Sequence, residues 1–335
     1  MKEEEKILVT GGAGFIGSHL VDELVKLGKK VIALDDLSGG FKENVNPKAE
    51  FVHGSVTDKE LIEKVFKENK IDFVFHFAAY AAEGLSHFIR KFNYENNLIG
   101  SINLINESIK NKVKCFVFAS SIAVYGKNQL PMKEETIPLP EDPYGIAKYA
   151  IEQDLVAAHK MFGLNYIIYR MHNVYGSRQH IGDKYRNVIG IFMNQIMQDK
   201  PITIFGDGEQ SRAFTHINDI APTIAKSISE RTAYNEVFNL GSDEPHSVKT
   251  LADKVISVMK NGEVHGIHHE QARKEVVHAY CDHEKAKKIL DYQAKVSLQE
   301  GLKDMAEWVK KVGIRKTTKF ENIEIEENLP PSWKK

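Results

Sequence analysis

The chain has 335 residues, 42% of them hydrophobic and 27% charged, with a formal net charge of −1. That is enough for one large or two medium domains with a sizeable core, and the balanced charge argues against a nucleic-acid or anionic-membrane partner. Two cysteines, Cys115 and Cys281, rule against a disulfide framework and fit a reducing compartment. No apolar run reaches the length of a membrane span. Residues 1–6 lack a signal-peptide core, so a soluble cytoplasmic protein is expected.

Lys6–Thr10 is a short apolar run that suits a buried parallel strand. Glycines follow at once. Gly12, Gly14 and Gly17 fit a G-x-G-x-x-G spacing, and Gly11, Gly14 and Gly17 fit a G-x-x-G-x-x-G variant. A helix with the stripe Phe15, Ile16, Leu20, Leu24 and Leu27 comes next, and Gly28 is placed to end it. Strand, glycine loop and helix in this order form a dinucleotide site. The glycines let the backbone approach a pyrophosphate, and the helix start offers free N–H groups and a positive dipole end. Lys30–Leu34 reads as the second strand, ended by Asp35. A carboxylate there accepts hydrogen bonds from the adenosine ribose and repels a 2′-phosphate, which favours NAD over NADP.

Phe51-Val52 is a short third strand and 59–67 a helix. Asp72–Phe77 is a strand, 94–110 a long amphipathic helix and Cys115–Ala119 a strand ending at Ser120-Ser121. Asp142 and Pro143 are an N-cap and first helical position for a helix to about Phe162, closed by Gly163. Tyr166–Tyr169 is a further strand. Repeated βα units predict an α/β fold, a doubly wound parallel (Rossmann) sheet. The alternation weakens after about residue 177. Ile202–Phe205 reads as a strand and 206–208 as a turn. Val237–Leu240 reads as a strand returning to the sheet, and 247–259 and 282–290 as helices. The expected division is a dinucleotide-binding domain of 1–176 plus about 213–242, and a smaller substrate lobe of about 177–212 plus 243–319. Substrate would lie in the cleft between them. The tail 320–335 reads as loose.

Tyr144 and Lys148 stand at i and i+4, on one helix face. Ser121 sits at the carboxyl end of the sheet, where ligands bind in open α/β folds. Lowering a tyrosine from about 10 to about 7 takes roughly 4 kcal/mol, and an ammonium about 4 Å away supplies roughly that at an effective dielectric near 20. Tyr144 is therefore the expected base, with Lys148 assisting and Ser121 hydrogen-bonding the reacting hydroxyl.

These segments resemble the extended short-chain dehydrogenase/reductase family, in particular its NAD-dependent nucleotide-sugar epimerases and dehydratases of the UDP-glucose 4-epimerase type. The resemblance runs from residue 6 to about 290. It rests on 10–17, His76–Ala79, Asn96-Asn97, Ser120–Gly126, Pro143–Lys148, Arg170–Gly176, Phe205–Gly208 and Arg212–Asp219. It implies NAD contacts at Gly11, Gly14, Phe15, Ile16, Asp35, Phe77, Ala78, Ala79, Asn96, Tyr144 and Lys148. Catalytic roles fall to Ser121, Tyr144 and Lys148. Ser121, Asn173, Arg212 and Arg273 would bind a nucleotide-diphosphate sugar, most simply a UDP-sugar, with the arginine forks on phosphate oxygens. The implied reaction inverts C4 through a transient 4-keto sugar. The implied assembly is a homodimer joined by helices 94–110 and 144–162, whose Ile99, Ile151, Leu155 and Val156 exceed one stripe.

The chain departs from the pattern at several points. Ser55 replaces an acid expected near the adenine, and Arg212-Ala-Phe214 replaces Arg-Asp-Phe. Ile122-Ala123 stand where dehydratases carry Asp-Glu and decarboxylating relatives a Glu, which disfavours 4,6-dehydration and decarboxylation. Glu83 and His172 are further acid/base candidates. They keep open a 5,6-dehydratase or a 3- or 5-epimerase; a net NAD-dependent sugar dehydrogenase is the other alternative. Fourteen histidines, His268-His269 among them, show no metal-ligand spacing.

Overall fold

The structure, a computed structural model, describes residues 5–260, 266–273, 275–317 and 319–334. The segment behind the signal-peptide expectation lies largely outside the described residues. Among these residues, seven strands form one sheet: β1 (Lys6–Thr10), β2 (Lys30–Asp35), β3 (Glu50–His53), β4 (Phe73–His76), β5 (Cys115–Ser121), β6 (Tyr166–Met171) and β7 (Glu236–Leu240). Their order is β7-β6-β5-β4-β1-β2-β3, and every pairing is parallel. The chain reverses its direction of winding between β1 and β4, so a crevice opens at their carboxyl ends.

The longer helices are α1 (Phe15–Lys26), α2 (Lys59–Glu68), α3 (Gly100–Lys110), α4 (Pro143–Phe162), α5 (Val188–Met197), α6 (Ile217–Lys226), α7 (Val248–Lys260), α8 (Glu284–Leu290) and α9 (Leu298–Val312). Leu20, Leu24, Ile220 and Ile224 of α1 and α6 cover one sheet face. Ile62, Phe66, Leu104, Ile151 and Leu155 of α2, α3 and α4 cover the other. The strands between are buried on both sides, which explains their unbroken apolar runs. Asp142 caps α4 by accepting from the Gly145 N–H at 2.9 Å. A third core joins α5, α7 and α9 through Phe192, Met193, Leu251, Val255, Leu302 and Met305.

Three expectations change. The helix read over 94–110 opens as a π-turn, Tyr94–Ile99, before α3 begins. There Asn97 turns inward, accepting from the Tyr80 N–H at 2.9 Å and donating to the Tyr80 carbonyl at 3.2 Å. Ile151 and Leu155 are fully buried in the chain's own core, whereas Ile99 is 52% exposed. The tail is not loose. Leu329 and Trp333 are buried and pack on Leu85, Ile89 and Tyr185, because the tail's apolar residues find a ready aromatic cluster there. No helix among the described residues is long and apolar enough to cross a membrane, and none of their His, Cys and carboxylate groups cluster as a metal site.

Candidate active site

A cavity of about 570 Å³ opens over the crevice between β1 and β4 and runs toward α5 and the tail. One end is the glycine loop. Gly11 has φ +71°, and a Cβ at Gly17 would lie 2.0 Å from the Gly11 carbonyl oxygen. Only glycine lets α1 start this close to the β1 turn. The α1 N-cap, Gly14, has no side chain to satisfy the first-turn N–H groups, which leaves them free to bind an anion. Asp35 stands at the end of β2, accepting from the Ala13 N–H at 3.0 Å and the Leu37 N–H at 2.8 Å. Burial pushes its carboxyl above the ordinary range, against the pull of those two N–H groups. The loop and the fixed carboxylate fit a dinucleotide.

Gly11, Gly14, Phe15, Ile16, Asp35, Phe77, Ala78, Ala79, Asn96, Ser121, Tyr144, Asn173, Arg212 and Arg273 all line this cavity. Lys148 does not. It is 2% exposed, one helical turn behind Tyr144, and its ammonium donates to the Ala119 carbonyl at 2.6 Å. It lies 4.7 Å from the Phe118 ring centroid and 5.7 Å from that of Tyr144. Burial lowers its ammonium from 10.5 to about 7, only partly opposed by Glu152. Glu152 is itself engaged by Ser120 at 2.5 Å and by Arg170 at 2.6 Å. The expected lowering of Tyr144 by a close lysine is therefore not what the protein alone provides. Burial holds the Tyr144 phenol above its ordinary value, a hydrogen bond with Ser121 opposes this, and the carboxyl groups of Glu83 and Asp142 add to it. The physical reason is burial, which raises the phenol and at the same time lowers Lys148, so the ammonium charge that would favour a phenolate is only partly present near pH 7. Ser121 is fixed from behind, accepting from the Ala123 N–H at 3.2 Å.

The far end is cationic. Arg212 donates to the carbonyls of Ser211, Val277 and Val276 at 2.8, 2.9 and 2.6 Å, which fixes its fork. Arg273 lies 4.3 Å from the Phe205 ring centroid. It pairs with Glu275 at 3.3 Å, and its Nε is buried with no partner. Asn173 donates to the Ala213 carbonyl at 3.2 Å.

Glu83 keeps accessible surface, but that surface faces the cavity and a smaller inner pocket shared with Ser121, Asp142 and His172. Its carboxyl is pushed up to about 7, first by burial and then by Asp142, while Arg212 and Arg273 pull it down. His172 differs. It is buried at 2% exposure, its ring is 2.8 Å from that of His283, and His283 is 2.7 Å from the Asp243 carboxylate. Burial takes it down to about 3, so it is a neutral structural link at pH 7. Ser55 lines the same cavity, but its hydroxyl is turned to Thr57 at 2.9 Å. Arg186 went unanticipated. Its guanidinium lies 4.6 Å from the Tyr80 ring centroid and binds Asp183 at 2.7 Å. The irregular loop 177–187 carries no periodicity that announces it.

A dinucleotide cradle opening directly onto a Ser–Tyr pair, with a lysine behind the tyrosine, is the arrangement of an extended short-chain dehydrogenase/reductase. The comparisons narrow that class. Residues 7–241 match the NAD dependent epimerase/dehydratase family, and the chain belongs to it. A putative UDP-glucose 4-epimerase of Methanocaldococcus jannaschii is 38% identical over 308 residues, spanning 91% of this chain and 98% of the relative. The crystal structure of a UDP-glucose 4-epimerase from Thermotoga maritima with UDP-glucose superposes with TM-score 0.86 at 38% identity. It covers 92% of this chain and 99% of its own. A UDP-glucuronic acid 4-epimerase from Bacillus cereus, in complex with UDP-glucuronic acid and NAD, reaches TM-score 0.84 at 28% identity, over 92% and 99% of the two chains.

Proposed function

We propose that the protein is an NAD-dependent nucleotide-sugar 4-epimerase acting on UDP-sugars. The observation that carries this reading is a single cavity holding the glycine cradle, Ser121 and Tyr144 at its centre, and Arg212 and Arg273 at its far end. Bound NAD supplies reversible hydride acceptance at C4, making the 4-keto sugar transient. Tyr144, its phenol brought down by the positive charge that oxidised NAD and protonated Lys148 would supply, takes the O4 proton as C4 is oxidised and returns it when C4 is reduced, so no net proton is consumed. Ser121 donates to O4 and steadies its charge. Lys148, close to half-protonated near neutral pH, supplies positive charge behind the phenol. Arg212, Arg273 and Asn173 hold the diphosphate while the sugar turns over. Ile122 and Ala123, the two buried residues directly after Ser121, carry no acid or base, which supports inversion over 4,6-elimination.

Glu83 beside Tyr144 is the observation that keeps a second outcome in view, proton exchange at C3 or C5 (a 3- or 5-epimerase or a 5,6-dehydratase). Incubation with UDP-, GDP-, CDP- and dTDP-sugars in deuterated water, read by NMR, separates the readings. Inversion at C4 of a UDP-sugar with C3 and C5 protons retained supports the proposal. Deuterium at C3 or C5, or an alkene, overturns it. Stoichiometric NADH would point instead to net dehydrogenation. We also assign the division into a dinucleotide domain and a smaller lobe to the boundaries given above. The same reading carries a cytoplasmic location and a homodimer. Exposed Ile99 and Ile146, at 52% and 41%, are the support for pairing through the helices they sit on. Sedimentation as a monomer at micromolar concentration would contradict it.

A further inference from the structure

The segment from Phe320 to Lys334 ties the two sides of the cavity together. On one side, Glu324 accepts from the backbone N–H groups of Lys91 and Phe92, both at 2.8 Å. Its own N–H donates to the Phe88 carbonyl at 2.8 Å. On the other, Ser332 donates to Glu270 at 3.0 Å, and Lys184 donates to the Ser332 carbonyl at 3.0 Å. Between these anchors the tail drops Trp333 into the cavity wall at 4% exposure. The indole meets Tyr185 and Phe205 edge-on, with centroids 5.3 and 6.2 Å away. The Arg273 guanidinium lies between rings, 4.3 Å from the centroid of Phe205 and 5.6 Å from that of Trp333. Gly84 closes the other side: a Cβ there would come within 3.2 Å of the indole and 3.4 Å of the guanidinium.

We propose that Trp333 is a positioning residue for the nucleotide-sugar site, and that the C-terminal segment is a tethered wall holding Arg273 aimed at a nucleoside diphosphate. This deepens the function proposed above and rests on it. Arg273 has a flexible stem, and a long charged side chain loses rotamer freedom when it binds. Two aromatic faces hold it ready and reduce that loss, as cation–π contacts do in a desolvated site. The Arg273 Nε is buried within this cage and meets no partner, so the caged guanidinium keeps a donor unmatched within the chain. The contacts of Trp333 run to Phe88, Tyr185, Phe205, Arg273 and Gly84, so replacing this one side chain is expected to leave NAD affinity unchanged.

The test is a double-mutant cycle in NAD-saturated enzyme, with UDP as the probe in calorimetry and UDP-glucose in turnover. Trp333→Leu weakens UDP by about tenfold and raises KM by a similar factor, with kcat within about threefold. Trp333→Phe recovers most of the loss. In an Arg273→Leu background, Trp333→Leu adds less than about twofold, because the residue it positions is gone. A chain ending at residue 330, which loses Trp333 but keeps Phe320 and Glu324 on Tyr80, Lys91 and Phe92, behaves like Trp333→Leu while its NAD affinity stays that of the parent. If Arg273→Leu alone leaves UDP affinity unchanged, the assignment of a diphosphate clamp fails. If Arg273→Leu weakens UDP but Trp333→Leu does not, or if the two losses add in full, the positioning role fails. Loss of NAD affinity in step with UDP affinity overturns it as well.

Discussion

Replacing Lys148 with Met separates what this lysine does for chemistry from what it does to stability. Burial takes its ammonium from 10.5 down to about 7. At about 1.4 kcal/mol per unit, the folded chain near pH 7 carries a penalty of about 4 kcal/mol for this amine relative to an uncharged side chain. Set against it are the hydrogen bond to the Ala119 carbonyl at 2.6 Å and the approach to the Phe118 ring at 4.7 Å. Together these contribute about 2–3 kcal/mol. Lys148→Met is therefore expected to be about 1–2 kcal/mol more stable at pH 7 and to lose turnover. The sign follows from proton counts. The folded value is the lower one, so between about pH 7 and 10.5 the unfolded chain holds the extra proton and parent stability rises with pH. The advantage of the variant should shrink toward zero by about pH 9. Urea unfolding of NAD-free protein at pH 7 and pH 9 reads both effects. A variant destabilised at pH 7 by more than about 1 kcal/mol, or one that keeps its advantage at pH 9, would refute the assignment of a buried, partly neutral lysine.

Glu83 should couple substrate binding to protons. A diphosphate between Arg212 and Arg273 removes the positive charge that holds the Glu83 carboxyl down. Binding then takes up a proton, and KM rises as pH climbs through about 7. Calorimetry of UDP-glucose binding, whose diphosphate diester has no group titrating near pH 7, in buffers of different ionisation enthalpy measures the uptake, and Glu83→Gln should abolish it; an unchanged uptake in that variant contradicts the coupling. The Arg170–Glu152 pair, with side chains 5% and 2% exposed, is a different kind of test. Arg170→Leu leaves a buried carboxylate uncompensated and should cost about 3–5 kcal/mol in thermal or urea unfolding. A loss below about 1 kcal/mol would show that Ser120 and water suffice for Glu152.

Local signals were strong where the chain repeats one physical unit. Runs such as Lys6–Thr10 and Cys115–Ala119 are apolar because parallel strands are covered on both faces, and the glycines after β1 are small because Gly17 packs against the Gly11 carbonyl. Those features placed the sheet, the cradle, Asp35 and Tyr144 directly. What eluded the sequence depends on contacts between distant segments. The hydrogen bonds of Asn97 to the Tyr80 backbone shape the π-turn, and no periodicity encodes them. Helix α9 goes beyond the expectation, although its capping box, Ser297 with Glu300, is a readable start signal. The i and i+4 spacing put Lys148 on the same face as Tyr144 but could not tell that its ammonium donates to the Ala119 carbonyl. The tail is polar and proline-bearing, and only the aromatic pocket around Tyr185 and Phe205 makes its tryptophan a buried residue.

The central claim is that one cavity oxidises C4 of a nucleotide sugar and then restores the same hydride. UDP-glucose deuterated at C4, equilibrated with the enzyme in ordinary water, tests this most directly. The account predicts UDP-galactose that keeps its deuterium at C4 in full, with no net NADH. Washout of the label to solvent, or label held back in a reduced cofactor released from the enzyme, would contradict it.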